Sequence, residues 1–223
     1  MEIEAKFRIA GELDPTTLES LDISPYRLRF ETLLDLRDEI LDAPGGELAA
    51  AGLALRLRRD GSATLVTLKS SGSESGGVHR REEIEEPISE ADAASHAWPA
   101  TVADRLGEYR DLSVSPIIAV NNRRGVWSVD REGSRVAELA HDEGEIIGGA
   151  GRERFHELEI ELKDAGTEDD LQALCGKIAA ALPVEPESRS KFERGRALLA
   201  GSTPHVETNI TPESPESVTR WPF

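Results

Sequence analysis

At 223 residues, 38% hydrophobic and 31% charged, the chain is long enough for one domain with a sizeable core, and no run of about 18 apolar residues is present to cross a membrane. The formal net charge of −17 argues against general nucleic-acid binding, which needs cations spread over a surface, and a single cysteine leaves no internal disulfide framework. A strand pattern that begins at Glu2 leaves no room for a leader peptide, and together with the lone thiol it predicts a cytoplasmic protein.

The first expected element is a strand over 2–10, in which Glu2, Glu4 and Lys6 point one way and Ile3, Ala5 and Phe7 the other. Asp14-Pro15-Thr16-Thr17-Leu18-Glu19 resembles a capped helical turn with proline at the first position. Strands are expected over 27–42 and 53–60, the latter turning through Arg59-Asp60-Gly61-Ser62 into a strand over 63–70. A polar loop over 71–77 leads to a strand over 79–88, and 90–106 reads as helical with a break at Pro99. The run 115–130, one bent strand or two, turns through Arg131-Glu132-Gly133-Ser134 into 134–142. Gly148-Gly149-Ala150-Gly151 lacks the Lys-Ser/Thr of a phosphate-binding loop and reads as a loose turn before a strand over 153–163. Thr167 is positioned to cap a helix running to about Leu182 and ended by Pro183, with Cys175 buried among Leu171, Leu174, Ile178 and Leu182. A last helix is expected from Ser188 to Leu199. The folded domain is therefore expected over 1–200 and a mobile Ser/Thr/Pro/Glu-rich tail over 201–223, with Trp221 and Phe223 in it.

Many strands joined by short turns predict an α+β fold that is mainly antiparallel β. Its unusual property is charge on every second residue. The acids in this phase are Glu2, Glu4, Glu83, Glu85, Asp142, Glu157, Glu159 and Glu161. The bases are Lys6, Arg56, Arg58, Lys69, Arg81, and Arg123 or Arg124, of which only one can face each way, with Lys191 near the C-terminus. An open sheet with one wet face would accommodate a single such hairpin. Glu157, Glu159 and Glu161, however, stack three carboxylates at about 7 Å intervals, and like charges so placed repel unless a cation lies among them. Carboxylate oxygens select hard cations such as Mg²⁺ or Mn²⁺. Arginine and lysine offer the complementary donors to phosphate oxygens. Acids to hold metal beside bases to hold an oxyanion are the equipment of phosphoryl transfer. The histidines His79, His96, His141, His156 and His205 show no metal-ligand spacing and read as surface or packing residues.

Glu2-Ile3-Glu4-Ala5-Lys6 resembles the ExExK signature of the CYTH proteins, the triphosphate tunnel metalloenzymes. The resemblance continues through Leu55-Arg56-Leu57-Arg58, Thr67-Leu68-Lys69, Arg81 with Glu83 and Glu85, Arg123-Arg124 with Trp127, Asp142, the run from Glu157 to Leu162, and Ser190-Lys191, in the family's order over about residues 2–200. Ile40-Leu41-Asp42-Ala43-Pro44 keeps only the Asp and Pro of the family's Tyr-x-Asp-Thr-Pro stretch. The resemblance implies an eight-stranded closed β-barrel, a tunnel with a charged interior and helices packed outside. It implies metal at Glu2, Glu4, Glu159 and Glu157 or Glu161, with Glu83, Glu85 and Asp142 as metal or supporting groups. It assigns the triphosphate to Lys6, Arg56, Arg58, Lys69, Arg81, Arg123 or Arg124, and Lys191, and of all these Glu4, Lys6, Glu159 and Lys191 are expected to act in catalysis.

The activity expected is divalent-metal-dependent hydrolysis of a triphosphate, with inorganic triphosphate leading because no base- or thiamine-specific pocket is advertised. ATP and thiamine triphosphate are further substrates to test. Trp127 is either the aromatic of such a pocket or a structural ring on the outer face. Cyclisation of ATP and binding of polyphosphate or nucleotide without turnover are the rival activities. No nucleic-acid or membrane partner is expected, and the protein is expected to be a monomer or homodimer.

Overall fold

The computed structural model describes residues 1–201; the tail beyond, with His205, Trp221 and Phe223, lies outside the described residues. Every expected strand has a counterpart, and two short strands, over 73–75 in the expected polar loop and over 184–186, add to them. In chain order they are β1 (Glu2–Ile9), β2 (Arg27–Asp42), β3 (Leu53–Arg59), β4 (Thr64–Ser70), β5 (Ser73–Ser75), β6 (Val78–Arg81), β7 (Glu83–Pro87), β8 (Ser115–Arg131), β9 (Ser134–Gly148), β10 (Gly151–Leu162) and β11 (Val184–Pro186). The helices are α1 (Thr16–Glu19), α2 (Glu47–Ala50), α3 (Glu90–Ser95), α4 (Ala100–Leu106), α5 (Glu168–Ala181) and α6 (Lys191–Leu199). Among the described residues no helix is long and apolar enough to cross a membrane.

The fold is α+β and mainly antiparallel, but the expected eight-stranded closed barrel is corrected. Eleven strands form one sheet in the order β5-β6-β1-β10-β9-β8-β2-β3-β4-β7, with β11 on β1, and the hydrogen-bonded order does not close. The reason lies at Glu82. The single strand expected over 79–88 divides there, so that Val78–Arg81 pairs with β1 while Glu83–Pro87 pairs with β4. The chain itself and side-chain bridges such as Lys69 to Glu2, 3.0 Å apart, gather the sheet around its inner face instead of a β1–β4 ladder.

Pleating explains which side is greasy. Ala5, Phe7 and Ile9 of β1 and Leu158 and Ile160 of β10 pack outward against Leu171, Leu174, Cys175 and Ile178 of α5. These α5 positions share one helical face, and the helix starts in a capping box between Thr167 and Asp170. Burial pushes the Cys175 thiol up to about 12, so it is an inert core group. A second cluster places α3 and α4 over Leu55, Leu57, Val66 and Leu68. A third lies on the inner face, where Ile40, Ile118, Val120, Ile146 and Phe155 meet Phe192 and Leu198 of α6. Trp127 is buried with the first cluster, a structural ring rather than a pocket wall.

Helix α2 had no expectation attached to it. Gly46 at its N-cap sits at φ 75°, a left-handed conformation that favours glycine. Asp42 caps it from a distance: Oδ1 accepts from Ala43 and Leu48 and Oδ2 from Ala49. The retained Asp of the 40–44 stretch thus has a structural task. Asp42→Ala strands these buried donors and is expected to cost about 2 kcal/mol, read as a lower urea midpoint with an unchanged m-value.

Candidate active site

The inner face encloses a cavity of about 820 Å³ whose lining includes Glu2, Glu4, Lys6, Arg56, Arg58, Lys69, Arg81, Glu83, Glu85, Arg124, Glu159, Glu161 and Lys191. Strand pairing explains the assembly: β1 lies between β10 and β6, so Lys6 stands opposite Glu159, Glu4 opposite Glu161, and Glu2 opposite Arg81. On the far wall Arg56 is opposite Thr67, and Thr67 opposite Glu85. Arg124 is opposite Asp142, which is opposite Glu157.

Two ion-pair networks result. In the first, Arg81 bonds Glu2 and Glu4, and Lys69 lies 3.0 Å from Glu2 and 2.7 Å from Glu83. Arg56 reaches Glu85 at 3.2 Å and Thr67 Oγ1 at 3.0 Å. In the second, Lys191 Nζ lies 2.8 Å from Glu157, 2.8 Å from Glu159 and 3.0 Å from Asp142. Arg124 grips Asp142 through both Nε and Nη2 and also bonds Glu159. Lys6, 3.5 Å from Glu4 and 3.4 Å from Glu159, joins the two networks. Lys191 is delivered by local sequence: Ser190 and Glu193 form a capping box that makes Lys191 the first residue of α6.

The electrostatics keep both signs ionised. Burial pushes the Asp142 and Glu159 carboxyls up, but Arg124, Lys191 and Lys6 outweigh it and hold both well below the usual carboxylate range. Burial likewise opposes the charge of Lys191 and Lys6, and their carboxylate neighbours raise both above the ordinary lysine value. Asp142, Glu157 and Glu159 can each bring an oxygen to within 4.8 Å of the others. These oxygens suit a hard divalent cation. Glu157 Oε2 is buried and faces the Lys191 ammonium, 2.8 Å away, as its charged partner.

Some expected residues stand apart. Arg123 is exposed and points away from the cavity, because Arg124 takes the inward phase of β8. Asp142 and Glu157 lie behind the lining, fully or almost fully buried. Glu161 is bonded to Lys163 at 2.8 Å, and burial raises its carboxyl above the ordinary value. Two residues had not been foreseen. Asp38 is buried and accepts from Arg58 Nε at 2.8 Å and Nη2 at 2.7 Å. Arg194, one turn along α6 from Lys191, bonds Glu157 and Glu153. Asp38 was findable, since it shares the inward phase of Leu36 and Ile40, but Arg37 and Glu39 on either side hide the alternation.

Comparison with known proteins agrees with this geometry. The CYTH domain pattern matches residues 1–195. An inorganic triphosphatase of Haemophilus influenzae is 27% identical over 205 residues, which are 88% of this chain and 54% of that protein. The chain thus spans about half the length of that curated relative. Among solved structures, a candidate adenylyl cyclase from Hippeastrum with a dominant triphosphatase activity superposes with a TM-score of 0.66 at 24% identity, covering 93% of this chain and 99% of that one. A Pyrococcus horikoshii protein does so with a TM-score of 0.55 at 21% identity, covering 90% and 99%. Both likenesses concern the fold.

Proposed function

The chain belongs to the CYTH family, and from that membership we propose that it is a divalent-metal-dependent triphosphatase, with inorganic triphosphate as substrate and residues 1–200 as the domain that performs the reaction. The observation that carries this reading is Glu159, which is bonded to Lys191 and Arg124 and also shares an oxygen cluster with Asp142 and Glu157. Metal-holding and phosphate-holding groups therefore meet at one side chain. The name of the Haemophilus influenzae relative supports inorganic triphosphate over other substrates.

Each of Lys6, Arg56, Arg58, Lys69, Arg81, Arg124 and Lys191 is paired with a carboxylate. A triphosphate and a hard cation can replace these partners pairwise: phosphate oxygens beside Lys6, Arg56, Arg58, Lys69, Arg81, Arg124 and Lys191, and the cation beside the acids. Such an exchange leaves no charge bare in a buried site. Asp142, Glu157 and Glu159 are proposed as ligands, with Glu2 and Glu4 able to serve at the next position along the wall. Mg²⁺ or Mn²⁺ bound there would neutralise phosphoryl charge and favour attack by water. The lysines and arginines orient the chain of phosphates and stabilise charge on the oxygens as it redistributes. Asp142 and Glu159 need lose no proton at neutral pH, because their cationic neighbours hold them ionised.

Arg56 has a further asset, a buried Nε–H with no acceptor among the described residues. Arg56→Ala is expected to raise KM for tripolyphosphate by about 10–100-fold, the worth of one or two hydrogen bonds between charged groups, with a smaller effect on kcat. An unchanged KM would remove Arg56 from the binding set.

The deciding experiment is phosphate release from tripolyphosphate, ATP and thiamine triphosphate with Mg²⁺, Mn²⁺ or chelator, with product analysis for ATP. Release from tripolyphosphate that the chelator abolishes is the expected result. Tight polyphosphate binding without release would replace the hydrolase by a binding module, and a cyclic product from ATP by a cyclase. The cytoplasm is the proposed location, as the compartment where the free thiol stays reduced.

A further inference from the structure

We propose that His141 and His156 form a site for a late first-row divalent metal ion such as Ni²⁺, Cu²⁺ or Zn²⁺, on the outer face of the β9–β10 hairpin and distinct from the carboxylates within. In the sequence the two histidines are fifteen positions apart and belong to no ligand motif. The fold brings their Nε2 atoms to 2.7 Å, with ring centroids 4.8 Å apart and planes at 73°. Alternation puts them on the side of the wall opposite to Asp142 and Glu157, their neighbours in the chain.

One tautomer is set by the backbone. His156 Nδ1 lies 3.0 Å from the Gly11 carbonyl, which can only accept, so the proton is on Nδ1 and the Nε2 lone pair faces His141. An imidazole fixed through its other nitrogen by a carbonyl is the arrangement found at metal-ligating histidines. Without metal, His141 Nε2–H donates into that lone pair. With the His141 proton moved to Nδ1, two lone pairs converge and call for a cation. Metal–nitrogen bonds of about 2.0–2.1 Å at angles of about 90–110° place the nitrogens roughly 2.9–3.4 Å apart, so the rings need separate by only a few tenths of an ångström.

One carboxylate shares this face. Glu143 stands directly opposite His156 in the β9–β10 register, on the same face, and is exposed. Both residues line a second cavity of about 1370 Å³, so solvent reaches His156, with His141 buried behind it. Arg123 and Asp35 continue the same row across β8 and β2, and their opposite charges leave the local field near balance. Two converging imidazoles favour Ni²⁺, Cu²⁺ or Zn²⁺, whereas the all-oxygen cluster inside suits Mg²⁺ or Mn²⁺. Excess Mg²⁺ therefore separates the two sites experimentally.

The test uses the full chain without an affinity tag, in excess Mg²⁺, titrated with Cu²⁺ and followed by calorimetry and electron paramagnetic resonance. One equivalent with nitrogen hyperfine structure from two imidazoles is expected, together with a rise in Tm. His156→Gln is expected to weaken that binding by at least about 10-fold and to remove the two-nitrogen pattern, while keeping Mg²⁺-dependent activity. The pair His96→Gln and His205→Gln is expected to leave it unchanged. Undiminished affinity and signal in His156→Gln, or no imidazole signal in the wild type, would overturn the site. His156 is only half-buried, so its variant carries the test even if His141→Gln fails to fold.

Discussion

Glu159→Gln is expected to lower kcat for tripolyphosphate with Mg²⁺ by about 10²–10³-fold while KM stays the same or falls. The substitution keeps the side chain's shape and removes one charge from the place where Asp142 and Glu157 can share a cation with it. It also leaves Lys191, Arg124 and Lys6 with less negative charge to balance, so a triphosphate should be held at least as well. A split of this kind separates a metal ligand from a residue that only shapes the cavity, whose loss would raise KM as well. Wild-type kcat in this variant, measured in steady state over a range of Mg²⁺, would remove Glu159 from the proposed centre. Raising Mg²⁺ should recover part of the lost rate if the defect lies in metal affinity.

Asp38→Ala is expected to lower stability by about 3 kcal/mol, because it leaves the Arg58 guanidinium charged and without its two-bond partner in a buried setting. Asp38 is 5% exposed, so bulk water cannot take over the missing bonds. The effect should depend on pH with a definite sign. Burial pushes the Asp38 carboxyl up, but Arg58, Arg56 and Arg124 outweigh it and hold it below the ordinary value of 3.8. A carboxyl with a depressed folded value contributes stability that is complete above its unfolded value and fades as pH falls through the folded one. Urea midpoints of wild type and Asp38→Asn should therefore differ most at neutral pH and converge below about pH 4. A constant difference down to pH 2 would mean that the Asp38 charge is not what holds Arg58 in place.

Much of the site can be read along the chain. Alternation in Glu2-Ile3-Glu4-Ala5-Lys6 and in Glu157-Leu158-Glu159-Ile160-Glu161 separates the inner charged face from the face that α5 covers, and the structure keeps that division. Caps are legible for the same reason. Thr167 and Ser190 act on donors three residues away, so both helix starts and the delivery of Lys191 follow from short segments. The parity of Arg123 and Arg124 is different. Both fit a strand, and only pairing of Arg124 with Asp142 on β9 decides which faces inward.

The sequence by itself determined the antiparallel α+β class, the positions of the strands and longer helices, and the two-signed inner face, because strand and helix periods and caps are properties of neighbours in the chain. Tertiary structure alone decided that the sheet stays open at Glu82, that Asp38 clamps Arg58, that Asp142, Glu157 and Glu159 converge, and that His141 meets His156. Each of these depends on register between strands or on how a strand divides between two partners. Register is set by the packing of the whole sheet, and residues brought together in that way leave no fixed spacing in the sequence.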